Sequence, residues 1–363
     1  MSEKIFIILD KEISQLVEKA KKEAERREFS YRSPSPLLSE FWRTNFTPSS
    51  FEVAVNELKK RNFSINGPIK IFSIQPCVRV SDISYWFDGI HLLYFHMFTF
   101  FVINPTEIQN EIEWFLSLLD KLGISIEKTY FSYYSHKHDD LIPKPLFENF
   151  GLDLLKSLNI SSKKCLPITG FANYQITYNI DPENKNEILT EGPRIELFTC
   201  INNKPIEYGT LVYTCSSWLD KEGNCVKKSP PMLAMVFGIE RLYQTIKGVD
   251  SFEELEEIKE IKNEIINKAN LSDFFSKEVV NLINIMIGLI GIAQNSPEDF
   301  NPGGKGSNYE LKKLVRLSMR IINELGIKKE ILFEIFEKRD INITKLRNWF
   351  EIEKKLERKR YEE

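Results

Sequence analysis

The stretch that decides the fold is IKIFSIQPCVRVSDISYWFDGIHLLYFHMFTFFVI, residues 69–103. Its ends, 69–80 and 91–103, are runs of β-branched and aromatic residues around the loop SDISYWFDGI, the pattern of a long hairpin. Period-two alternation sorts the first run by face. Ile74, Pro76, Val78 and Val80 fall on one side and Gln75, Cys77, Arg79 and Ser81 on the other. Arg79 thus stands on a polar face, either paired with an acid on the sheet surface or directed into a site.

Upstream, residues 11–28 read as a charge-rich helix, and Pro34, Pro36 and Pro48 interrupt the chain before a second helix at 50–62. Downstream, Ile108, Ile112, Phe115, Leu116 and Leu119 stand at helical spacing in a helix over 106–122 that stops near Gly123. Strand patterns recur at 125–134, 165–179, 193–202, 206–216 and 231–237, with a short helix at 147–158. Sheet and helix mix without regular β-α-β alternation, which predicts an α+β fold with a large antiparallel sheet. From 239 onward the spacing is helical, punctuated at Gly248, Asn270, PGGKGSN (302–308) and Gly326. A mixed domain over 1–248 and an all-α domain over 249–363 follow.

Composition bounds the function. The 363 residues are 42% hydrophobic and 28% charged, enough apolar surface to exclude a disordered chain. The net charge of −3 shows no basic excess, yet residues 301–363 hold 16 Lys/Arg against 11 Asp/Glu, leaving −8 for residues 1–300. The C-terminal end is the basic end. Five cysteines without a C-x-x-C pair suggest neither a zinc ribbon nor a disulfide framework. The first residues meet charge at Glu3, Lys4, Asp10 and Lys11, too soon for a signal peptide, and the apolar stretches near 89–104 and 282–293 fall short of the ~20 residues of a membrane helix. A cytoplasmic chain with no membrane partner is expected.

VFGIERL (236–242) is the second signal: a strand ends at Gly238 and a helix carrying Glu240 and Arg241 begins. A guanidinium there can reach phosphate oxygens bidentately, or lie on a solvated first turn. Taken in order, the hairpin arginine, the aromatic return strand and the Gly-x-Glu-Arg junction resemble the layout of class II aminoacyl-tRNA synthetases. IQPCVRVSDI (74–83) with HLLYFHM (91–97) resembles the second signature motif of alanyl-tRNA synthetase in its archaeal form. EIEWFLSLLDKLGI (111–124), EGPRIELF (191–198), IEYGTLVY (206–213), FGIERL (237–242) and GSNYELKKLVRLSMRIINELGI (306–327) resemble further pieces of that family in the same order. The resemblance covers about residues 30–330.

It implies an antiparallel active-site sheet flanked by helices, an acceptor-stem-binding helical domain, and ATP- and Mg²⁺-dependent adenylation of an amino acid with transfer to tRNA. By position it gives Arg79 the ATP α-phosphate and the amino-acid carboxylate, His91 and Phe95 the adenine end of ATP, Arg241 the γ-phosphate, and Asp82 the acidic place three residues after Arg79. Glu196, in Gly-Pro-x-x-Glu, becomes a Mg²⁺ or substrate partner, and Thr210 joins the amino-acid pocket. The family's ammonium-holding aspartate is replaced by Ala234, a loss of roughly 1.5–3 kcal/mol of recognition unless another carboxylate such as Glu191 serves. Lys305, Lys312, Lys313, Arg316 and Arg320 become candidate RNA contacts, against the alternative of a solvated helix face.

The family's zinc-binding editing region has no counterpart here: His136 and His138 in SHKHDD are at the wrong spacing, and no structural zinc is expected. The loop 302–308 lacks the Gly-Lys-Ser/Thr of a phosphate loop. Class II sheets often pair near their first motif, whose counterpart around Pro34–Leu38 is weak, so no oligomeric state is read. Two alternatives stand beside the synthetase reading: an adenylating enzyme with a different acid or a non-tRNA acceptor, and an idle RNA-binding or regulatory paralogue.

Overall fold

The computed structural model describes residues 11–81, 88–136, 141–142 and 145–362. Asp82 and His138 lie outside them. In chain order the elements are α1 (Lys11–Arg26), β1 (Ser30–Tyr31), α2 (Phe51–Lys60), β2 (Ile69–Val78), β3 (Tyr94–Ile103), α3 (Ile108–Leu122), β4 (Tyr130–Tyr134), α4 (Phe150–Ser157), β5 (Cys165–Ile168), β6 (Tyr174–Ile180), β7 (Glu187–Ile201), β8 (Lys204–Leu219), β9 (Cys225–Lys228) and β10 (Met232–Gly238). The helices α5 (Ile239–Lys247), α6 (Glu256–Ala269), α7 (Ser276–Gln294), α8 (Gly306–Glu324), α9 (Lys329–Glu337) and α10 (Thr344–Glu362) complete it. Three helices stop where the sequence supplies a residue that tolerates the left-handed region: Gly123 (φ 109°), Gly248 (φ 70°) and Asn270 (φ 52°).

The strands form one ten-stranded sheet ordered β1-β2-β3-β10-β8-β7-β4-β5, with β6 on β7 and β9 on β8. β2 and β3 pair antiparallel from Ile69↔Ile103 to Val78↔Tyr94, the expected hairpin. The expectation of an antiparallel sheet is corrected at both edges, where β1 joins β2 and β5 joins β4 in parallel. Each edge pair is separated in sequence by one helix, α2 or α4, and a crossover of that kind returns the chain in the same direction. The run 165–179, expected as one strand, divides into β5 and β6 around Gly170, whose φ is 71°.

The two faces of the sheet are covered unequally. One face carries Phe98, Phe100, Leu233, Met235, Phe237 and Leu211 into a large core with α1, α3, α5 and α7. Aromatic edges interlock there, as in Phe98–Phe237 at 5.2 Å and 87°. The other face carries Ile71, Phe101, Ile103, Val212, Ala234 and Val236 toward α2. With ten residues, α2 is only ~15 Å long and cannot span a sheet this wide. The uncovered part of that face is a cavity.

The helical half is continuous with the same core. α7 is long and apolar enough to cross a membrane by composition, but most of it is buried in the protein, packed on β3, α6 and α8. It meets the start of β3 at two glycines: a Cβ on Gly291 would lie 2.5 Å from a ring carbon of Tyr94, and one on Gly288 would strike Leu93. Asn284 seals the contact, accepting from the Leu93 amide at 3.2 Å and donating to the His91 carbonyl at 3.2 Å.

Candidate active site

The cavity has a volume of about 470 Å³ and is lined from β3, β6, β7, β8, β10, Arg79 just past β2 and the starts of α2 and α5. Strand register arranges its wall in rows. One row holds Phe101, Ala234 and Val212 side by side, with Arg194 opposite Val212. Above it stand Thr99, Val236, Thr210 and Glu196. The Thr99 hydroxyl lies 2.6 Å from that of Ser50 at the start of α2, so the floor is tied to its helical cover.

Arg79, His91, Phe95 and Arg241 all reach the mouth of this cavity. Arg79 leaves the end of β2 with its guanidinium 4.9 Å from the Phe95 ring centroid, and its Nε donates to the Pro48 carbonyl at 3.1 Å. His91 Nδ1 lies 2.6 Å from Asp88 Oδ2, while Oδ1 of the same carboxylate accepts from the amides of Ile90 and His91 at 2.8 and 2.9 Å. Burial opposes ionisation of Asp88, yet those two amides hold its carboxyl below the usual range. Arg241, in the first turn of α5, donates from Nη1 to the Glu207 carbonyl at 3.1 Å and stands 3.7 Å from its carboxylate.

Beneath the mouth is a buried support that sequence reading missed. Glu240 accepts from the His96 amide at 2.9 Å and faces His96 Nδ1 at 2.6 Å, while Nε2 lies 3.2 Å from the Tyr94 hydroxyl. Asn295, just past α7, donates to that hydroxyl at 3.0 Å. Glu240 is therefore committed to β3 and stands beside Arg241 as scaffold.

Besides Glu240, Glu196 and Glu207 line the cavity. Glu196 is only 8% exposed; burial, with the Glu207 charge adding to it, pushes its pKa up to about 7 against the pull of Arg194 at 3.6 Å. Glu207, 42% exposed, sits at the mouth because β8 has an irregularity opposite Leu197/Phe198. Tyr208 turns into the core, its hydroxyl 2.7 Å from that of Thr129, and Glu207 pairs with Phe198 on the cavity face. Strict alternation could not reveal that. For Mg²⁺ the donor set fits: Glu196 Oε2 is buried with no hydrogen-bond partner, and Mg²⁺ arriving on phosphates needs only one or two carboxylates.

The other sequence candidates distribute as follows. Thr210 and Ala234 line the cavity. Glu191 does not: on β7 it alternates with Glu196, Arg194 and Gly192 and lies beside Cys215 and Tyr174 instead. Lys313 pairs with Glu310 at 2.7 Å, Arg320 with Glu324 at 3.8 Å, and Arg316 Nε with fully buried Glu353 at 2.6 Å. Lys305 and Lys312 have no ion pair among the described residues.

No family model matches the chain. Over 141 residues it is 27% identical to alanine–tRNA ligases from two Thermoanaerobacter, the X514 strain and Thermoanaerobacter pseudethanolicus, a match covering 38% of this chain and 16% of each relative. The chain thus aligns with about a sixth of the length of these curated relatives. The similarity is to alanine–tRNA ligases at large and does not single out the archaeal form. Among solved structures, the RNA binding domain of threonyl-tRNA synthetase from Cryptosporidium parvum Iowa II superposes with a TM-score of 0.46 at 13% identity, over 71% of this chain and 74% of that one. Pyrrolysyl-tRNA synthetase from Desulfitobacterium hafniense gives 0.33 at 13% identity, over 66% and 71%.

Proposed function

We propose that this chain is an aminoacyl-tRNA synthetase-like ligase that binds ATP in the cavity, activates an amino acid as its adenylate and passes it to RNA. The observation that carries the reading is convergence: Arg79, His91, Phe95 and Arg241, up to 162 positions apart in sequence, line one cavity mouth with Glu207 and Glu196 beside them. The sequence similarity to alanine–tRNA ligases supports the same reaction class.

In this reading a carboxylate oxygen attacks the α-phosphorus of ATP, the bond to pyrophosphate breaks, and pyrophosphate leaves with its electron pair. No proton moves, since the acid enters ionised. Charge builds on the α-phosphate oxygens, and a guanidinium already fixed at that place stabilises it without reorganising. Arg79 has that role, and its present stacking on Phe95 marks the space an adenine ring would take as the guanidinium turns to phosphate. Arg241, anchored on Glu207, meets the far phosphates, and the Asp88 carboxylate orients His91. Mg²⁺, held by Glu207 and Glu196, would supply further charge neutralisation on the phosphates. A ribose hydroxyl of RNA then attacks the acyl carbonyl, the acyl–phosphate bond breaks, and AMP departs as the hydroxyl proton passes to its phosphate. Among the proposed cations, Lys305 and Lys312 are the better phosphate contacts, because Arg316 is engaged by Glu353.

A second reading, an idle RNA-binding relative, is favoured by Ala234, which leaves the resemblance's ammonium position without a carboxylate. ATP–pyrophosphate exchange across the amino acids separates the two. Exchange with at least one acid is expected; no exchange together with no ATP binding leaves only the second.

A further inference from the structure

We infer that the acid activated here carries an apolar side chain larger than a methyl group, seated on the cavity floor around Ala234. This rests on the adenylation reading above and names its substrate class.

Polarity in the cavity is layered. Charged groups stand at the mouth, the hydroxyls of Thr99 and Thr210 with the Glu196 carboxylate form the next row, and below them Phe101, Ala234, Val212 and Met232 make an apolar strip, flanked by Thr214 and by Arg194, whose guanidinium donates to the Phe171 and Ala172 carbonyls. Ala234 lies between Phe101 and Val212 across the strands and between Met232 and Val236 along its own. Phe51 of α2 adds a ring from the cover, and all six side chains line the cavity. Ala234 is 7% exposed, so its methyl forms floor rather than filling space. A ligand with phosphates at one end, a carboxylate and its α-substituents in the middle and a hydrocarbon group at the other end matches the rows in order.

Size follows from the alanine. An aspartate at 234, as the resemblance would have it, fills the space above this strand and offers an anion to the substrate's ammonium. Alanine removes both the volume and the charge. What is left is apolar surface that substrate carbon can cover, a favourable exchange for water. A methyl side chain reaches little of it, while a branched aliphatic or aromatic one reaches the floor. Discrimination per methylene in such a pocket is about 10- to 200-fold.

The test is binding of stable adenylate mimics, the aminoacyl sulfamoyl adenosines of alanine, valine, leucine and phenylalanine, to the whole chain by calorimetry, with ATP alone in parallel. The expected result is that the leucyl or phenylalanyl mimic binds at least about tenfold tighter than the alanyl one. Ala234→Leu should narrow or reverse that ratio, and Ala234→Val, the milder change, should narrow it if the first fails to fold. The alanyl mimic binding tightest, or equal affinity across the series, overturns this inference while leaving adenylation intact. Binding of neither ATP nor any mimic overturns adenylation and the substrate class together.

Discussion

The mouth and the floor of the cavity are built differently. Floor residues alternate along three paired strands, so one register fixes Phe101, Ala234 and Val212 together. Mouth residues come from separate elements, each held by its own tertiary partner: Arg79 on the Pro48 carbonyl, His91 on Asp88, Arg241 on Glu207, with Glu240 and His96 beneath. A surface made by register tolerates exchange of one apolar group for another. A cluster of charges held by separate contacts can be disabled at several places far from the reacting atoms.

The largest expected effect tests that support. His96→Ala leaves the buried Glu240 carboxylate without its ring partner, and a stability loss of about 3–5 kcal/mol is expected in urea unfolding. A loss below about 1 kcal/mol would mean the mouth is as tolerant as the floor. Next, Arg79→Ala should lower pyrophosphate exchange by about 10²–10³, or about 2.7–4 kcal/mol, while shifting unfolding by no more than about 0.5 kcal/mol. Equal losses in rate and stability would make Arg79 a structural residue instead. The smallest effect is a slope. Folded Glu196 keeps its proton to about pH 7, whereas an ordinary glutamate releases it near 4.5. Between those values the folded chain binds more protons than the unfolded one, so stability falls as pH rises, by at most about 1.4 kcal/mol per pH unit, and is level outside the window. Glu196→Gln should remove the slope; an unchanged pH profile would locate the buried titration elsewhere.

The parts of this molecule legible in sequence are those with local causes. The 69–103 hairpin shows its faces by alternation, and the helix ends at Gly123, Gly248 and Asn270 are announced by residues suited to left-handed backbone. Motif order named Arg79, His91, Phe95 and Arg241, and these four line one cavity. The parallel edges depend on what lies between strands rather than on the strands, and Glu207 reaches the cavity only through an irregularity in β8. The Glu240–His96 support joins residues 144 apart, and no spacing rule connects them. Glu191 and Arg316 carry the opposite lesson. A charged residue in the right segment can face the wrong side of its strand, or be claimed by a buried partner such as Glu353.

The two glycines of α7 limit how this chain can be recombined. Leu93 and Tyr94 sit where two side chains are missing, and the flanking asparagines bond to His91, Leu93 and Tyr94, at and just before the start of β3. A helical unit borrowed from another protein would have to bring both gaps, three residues apart, and both amides at matching height. The cavity-mouth end of the sheet and the helices behind it are therefore inherited together, as one cut key and its lock.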